Sequence, residues 1–215
     1  MSVASGTTLF PGLEAKAAGK VCLLNFEDDS FDIQQRGNAI IRCFKDLDPS
    51  FKNLDLNPCE ENLHVASMLG QPLSLLDSCG EINEKDVLWL KEQCKDMRLV
   101  VLDPLSHLHR SDENSASQMS KLMQVLKGIG QETGAGIIIA HHTGKGNLQQ
   151  YARGSSALVD ACRVVMTLHG TRPTRGDSFT LELTWAKLND AAPITPVRLR
   201  RTSSGVLVKA DEIPY

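Results

Sequence analysis

Three continuous apolar runs punctuate the chain: Val21–Phe26, Leu99–Leu102 and Gly136–Ala140. Each is closed by polar groups, which are Glu27-Asp28-Asp29, Asp103 and His141-His142 in turn. Short continuous runs of this kind suit strands of a parallel sheet covered on both faces. Between them the apolar spacing becomes helical. Ser30–Leu47 carries Ile33, Ile40, Ile41 and Phe44 mostly on one face. Asn83–Cys94 repeats the pattern with Val87, Leu88, Leu90 and Cys94, and Ser115–Ile129 with Met119, Leu122, Met123, Leu126 and Ile129. Gly134 and Gly136 stop that last helix, as glycine does at helix ends. Strand alternating with helix predicts a doubly wound α/β fold.

Beyond His142 the texture changes. Thr143–Arg153 is polar, contains two glycines and reads as a loop; Ser156–Ala161 reads as a short helix. Arg163–Leu168, Ser178–Lys187, Pro196–Leu199 and Val206–Lys209 are short and alternating, with Gly176-Asp177 and Ser204-Gly205 as turns. They predict antiparallel strands that finish the sheet at its C-terminal edge. No repeat or linker divides the chain, so residues 1–215 are expected to form one domain.

Composition narrows the partners. A chain of 215 residues, 41% apolar and 23% charged, can bury a sizeable core. The net charge of -3 gives no overall field for nucleic acid, so any such contact must be local. The six cysteines are scattered and form no C-x-x-C pair, which gives neither a zinc pattern nor a disulfide framework and fits a reduced, cytoplasmic setting. No apolar run approaches the roughly 18 residues of a membrane span, and Met1–Gly6 has neither the charged nor the apolar region of a secretory signal.

Ligands of open α/β sheets bind beyond the carboxyl ends of the strands, where Glu27, Asp103 and His141-His142 are expected to converge. Leu99–Asp103 has the form of a Walker B strand, whose terminal aspartate reaches a Mg²⁺ shell; a turn or helix cap is the other reading of Asp103. Glu27 could deprotonate an attacking water, or could belong to a solvated acidic turn that opens the next helix. A neutral His141 or His142 can donate to a phosphate. Adjacent residues of an extended chain point to opposite faces, which disfavours one metal ion held by both. Arg153, before Gly154-Ser155-Ser156, suits phosphate contact or a surface position before a helix cap. Lys187, near the end of a late strand, could reach phosphate or be an exposed edge lysine.

Taken in order, these residues form a known series. It runs Gly19–Asp29 with Arg36, Leu99–Asp103, Thr133-Gly134, His141-His142-Thr143-Gly144-Lys145-Gly146, Arg153–Asp160 with Arg163, and Ala186-Lys187-Leu188-Asn189. The series resembles the RepA-type hexameric replicative helicases of the RecA-like ATPase superfamily, over nearly the whole chain. The resemblance implies a twisted, mostly parallel sheet flanked by helices, ATP and Mg²⁺ as cofactors, a homo-hexameric ring and single-stranded DNA as partner. It implies Glu27 as catalytic glutamate, Asp103 as the Walker B metal and nucleotide ligand, and His141 and His142 as the γ-phosphate sensor. It implies Arg153 as a finger acting across the subunit boundary, Lys187 as a second trans-acting cation, and Thr143–Ala152 as the DNA-contacting loop. Lys145 is that loop's one cation and Tyr151 its one aromatic residue.

One part of the family pattern is missing. No G-x-x-x-x-G-K-[ST] string occurs in the chain, and Gly12…Gly19-Lys20-Val21 has the wrong spacing and no hydroxyl for Mg²⁺. Met1–Gly6 matches the end of the helix that follows the phosphate loop in the family. The expectation is therefore an ATPase core lacking its phosphate loop and inactive in this form, through truncation or loss in a paralogue. The alternative is a non-catalytic RecA-fold module with a regulatory, partner-binding or DNA-binding role. In the family the missing strand lies between those matching Gly136–Ala140 and Arg163–Leu168, so these two are expected to pair with each other or to flank an unfilled position.

Overall fold

The computed structural model describes residues 1–7, 14–47, 57–142, 156–170, 180–189 and 191–210. The chain divides into two compact units, Met1–Ser30 with Asp55–Ala161, and Phe31–Leu54 with Cys162–Tyr215.

The first unit is built on a parallel sheet of β1 (Val21–Asn25), β2 (Leu63–Ser67), β3 (Leu99–Asp103) and β4 (Gly136–Ile139), in the order β2-β1-β3-β4. With it are the helices α1 (Ser2–Ser5), α3 (Asn57–Asn62), α4 (Glu84–Cys94), α5 (Ala116–Thr133) and α6 (Ala157–Ala161). Strand alternation sorts its core into two rows. Cys22, Leu24, Val100 and Leu102 share one face and are all buried, and Cys22 lies close enough to Cys94 of α4 to help raise the pKa of the Cys94 thiol. On the other face Val21 packs with Ala4 of α1, Cys59 of α3, Leu63 and Leu99.

The helix ends explain themselves locally. Asn83 and Ser115 cap α4 and α5 by accepting the main-chain N–H groups of Asp86 and Gln118. Gly134 ends α5 at φ 75°, a left-handed conformation that glycine adopts at little cost. All five apolar positions expected for α5, Met119 to Ile129, are buried. In α4 the buried face is Leu90 and Cys94, whereas Leu88 is 59% exposed. Leu88 follows Val87 by one residue, about 100° around the helix, which turns it off the Leu90–Cys94 stripe.

The second unit contains α2 (Ser30–Leu47, all but its first residue) and an antiparallel sheet in the order β5-β6-β7-β8: β5 (Val164–Gly170), β6 (Thr180–Leu188), β7 (Val197–Arg201) and β8 (Leu207–Lys209). These strands form a sheet of their own rather than finishing the parallel one. Each pairs antiparallel with its neighbour in the chain, a pairing that needs no crossover connection. β4 ends the parallel sheet and β5 the antiparallel one; among the described residues neither has a strand on its outer edge, and Ile138, Val164, Met166 and Leu168 are exposed. The α/β class holds: a parallel sheet with flanking helices, plus a separate antiparallel sheet.

Leu102 sits at 0% exposure in the central strand β3. Leu102→Ala should cost roughly 2–5 kcal/mol of unfolding free energy in urea. Leu88→Ala should change it by about 0.5 kcal/mol or less. Equal effects of the two substitutions would contradict this core.

Candidate functional site

The polar ends of the parallel strands arrive at one edge because the strands pair in step. Asn25 lies level with Ser67 of β2 and Asp103 of β3. Beyond them, Leu105 N–H donates to the Ala140 carbonyl at 2.8 Å and ties the segment after β3 to the end of β4. His141 and His142 follow at once.

Asn25 is the hub of this edge. It is 4% exposed. Its Oδ1 accepts the main-chain N–H groups of Glu27 at 3.0 Å and Asp28 at 2.7 Å. Its Nδ2 donates to Asp28 Oδ2 at 3.2 Å and to Asp103 Oδ2 at 3.3 Å. Ser67 Oγ donates to the Asp28 carbonyl at 2.7 Å, so β2 also braces the turn. The Glu27 side chain is half-exposed and its Oε1 lies 3.5 Å from His142 Nε2. Glu27 and His142 thus meet across the end of the intervening strand β3.

Aromatic packing backs the edge. Phe26 is buried and stacks on His107, with ring centroids 5.8 Å apart and planes 18° from parallel. Two residues on, His109 is buried as well. Its Nδ1 faces the Ser111 carbonyl at 3.1 Å and the Ser111 hydroxyl at 3.2 Å, which places the ring proton on Nδ1. Nε2 then carries a lone pair, has no hydrogen-bond partner, and lies 3.9 Å from Glu113 Oε1. Burial lowers the His109 pKa, and His141 adds to that; Glu113 and Ser111 oppose it.

The structure therefore brings Glu27, Asp103 and His142 to one edge, with His141 near enough to act on His109. Lys187 lies in β6 of the second unit, opposite Val165. Lys145 and Arg153 fall outside the described residues. Asn25 lies within the Gly19–Asp29 series without an assigned role, and His107 and His109 belong to no motif in the sequence. The one local sign for Asn25 is an asparagine closing an apolar run before acidic residues, the setting of an Asx turn. The buried thiol of Cys94 is pushed up to about 11, by burial first and Cys22 second, so it stays protonated and is no nucleophile at neutral pH.

Among the described residues no group of three His, Cys, Asp or Glu side chains is arranged to hold an ion. Asp28 and Asp103 both turn a carboxylate oxygen to the Asn25 amide. Oxygen donors of this kind fit Mg²⁺, which takes one or two carboxylates and keeps waters or phosphate oxygens elsewhere.

Comparison with known proteins agrees with this architecture. The sequence profile of the AAA domain matches residues 1–147. The crystal structure of the RadB recombinase is similar in fold, with a TM-score of 0.56, 13% identity, and coverage of 90% of this chain and 80% of that one.

His109 makes stability depend on pH. Its folded pKa lies below the unfolded value of about 6.5, so the unfolded chain binds the proton more readily. Stability is then complete above that value and declines as pH falls from it toward the folded pKa. The urea midpoint should drop between pH 7.5 and 5.5, and His109→Asn should flatten the drop. Parallel pH curves for the two proteins would refute it.

Proposed function

The chain belongs to the AAA domain family with a RecA-like fold, and we propose on that premise that it is the ATPase core of a RepA-type replicative DNA helicase. The observation that carries this reading is the meeting of Glu27, Asp103 and His142 at the carboxyl edge of one parallel sheet. That is where α/β proteins of this architecture act on their ligands. Residues 1–215 are read as one core, working in the cytoplasm as a homo-hexamer on single-stranded DNA.

In this reading Asp103 holds Mg²⁺, directly or through water, and helps to seat ATP. When bound, that ion neutralises charge that develops on the transferred phosphoryl group. Glu27 orients the attacking water and takes its proton, which a half-exposed carboxylate at a strand end can do. His142 touches Glu27, so the histidine pair that senses the γ-phosphate is joined to the base. His141 lies beside it at the end of β4. Arg153 serves a neighbouring subunit's site, Lys187 adds a second cation in trans, and Lys145 contacts DNA.

Phosphate itself is not provided for. The chain holds no G-x-x-x-x-G-K-[ST] loop, and Glu27, Asp28 and Asp103 alone repel a triphosphate. That loop's lysine and amides, at roughly 1.5–3 kcal/mol for each hydrogen bond to a charged group, would supply most of a micromolar affinity. A second reading is a RecA-fold module that binds partners or DNA without catalysis.

Calorimetry with Mg-ATP separates the two. This chain alone should give no binding heat, and tight binding would end the missing-loop argument. A version extended at its N-terminus by a strand, phosphate loop and helix should bind and hydrolyse ATP. In that version Glu27→Gln should lower kcat by roughly 10²–10⁴ and leave binding nearly intact. No gain on extension selects the non-catalytic module, and unchanged turnover in Glu27→Gln removes Glu27 as the base.

A further inference from the structure

We infer that Asn25 is a positioning residue that fixes the Asp103 carboxylate and the Glu27–Asp28 turn relative to each other, an inference that rests on the nucleotide-site reading of this edge. A primary amide has two N–H donors and an oxygen with two lone pairs. In Asn25 all four capacities are spent: Oδ1 on two main-chain N–H groups, Nδ2 on two carboxylates. Main-chain N–H groups can only meet an oxygen, so the orientation of the amide is fixed by its surroundings. The side chain is buried at the end of β1, where a lost partner is not replaced by solvent.

The residue type is what the geometry demands. An Asx turn needs only the side-chain oxygen, which aspartate or serine would also supply. Aspartate at this position would present a third carboxylate to Asp28 and Asp103. Serine would keep an acceptor for the turn but has one donor in place of two, on a shorter side chain. Asparagine alone accepts toward the turn and donates toward both acids. Through Asp103 Oδ2 it sets the rotation of the carboxylate assigned to Mg²⁺. Through the Glu27 N–H it sets where the Glu27 side chain leaves the backbone.

Two measurements on the full chain test this. The first is a double-mutant cycle in urea with Asn25→Ser, Asp103→Ala and the pair. The coupling should be about ten-fold in the unfolding equilibrium constant, as for a buried bond to a charged group. Additive effects would overturn the inference. The exchange Asn25→Asp with Asp103→Asn should recover most of the stability lost by Asn25→Asp alone, because amide and carboxylate trade places; no recovery counts against it. The second uses Mn²⁺ alone and reads paramagnetic broadening of backbone amides. Asn25→Ser should raise the Mn²⁺ midpoint at the Asp103 amide several-fold, with the spectrum unchanged away from residues 25–29 and 103. An unchanged midpoint in a folded variant would overturn positioning, since a purely structural asparagine would move stability alone. If Mn²⁺ broadens nothing near Asp103 in the unsubstituted chain, the nucleotide-site reading fails, and the urea cycle still decides whether Asn25 couples to Asp103.

Discussion

Val21–Asn25 of β1 is hydrogen-bonded in step with Leu63–Ser67 on one side and Leu99–Asp103 on the other. Because all three strands run the same way, this register fixes which residues end together. A shift of one residue would turn Leu24 and Leu102 out of the core and carry Asn25 away from Asp103. The apolar rows therefore do two things at once. Their burial holds the sheet in place, and the same alignment delivers an amide, three carboxylates and a histidine pair to one edge. No separate device is needed to assemble the edge.

The polar edge contributes to stability mainly through what it would cost to disrupt. Glu27 is half-exposed and His142 mostly exposed, and a polar contact of that kind adds little. The same holds for Lys121–Glu81 and Lys91–Glu132, which link α5 to the segment before α4 and to α4 itself. Asn25 is different because it is buried and its amide is fully engaged. His109 lies between these cases: one ring nitrogen is served by Ser111 and the other is left bare next to Glu113.

The strands β1, β3 and β4 were legible in the sequence because apolar residues dominate them, although β4 lies at a sheet edge with Ile138 exposed and is not covered on both faces. β2 was not, since Leu63-His64-Val65-Ala66-Ser67 lies at the sheet edge, with His64 and Val65 exposed. Leu88 shares the helical spacing of its neighbours, but periodicity alone does not say how wide the buried stripe is. The separate antiparallel sheet was hidden for another reason. Alternation identifies the strands and says nothing about which edge they join. Glu27, Asp103 and His142 could be named because each follows a buried run. Asn25 and His109 could not, because their significance comes from partners brought near by folding, Asp103 being 78 residues from Asn25.

That separation also has a consequence for how the chain is made. During synthesis at roughly 5–20 residues per second, β1 leaves the ribosome on the order of 4–16 s before β3 exists to pair with it. Its one earlier neighbour, β2, is the weakest strand of the sheet by apolar content. Val21–Asn25 is thus a nascent apolar segment without its main partner, and such segments are the natural clients of chaperones. β1, an inner strand of the finished sheet, thus waits through 78 residues of synthesis for the inner strand beside it.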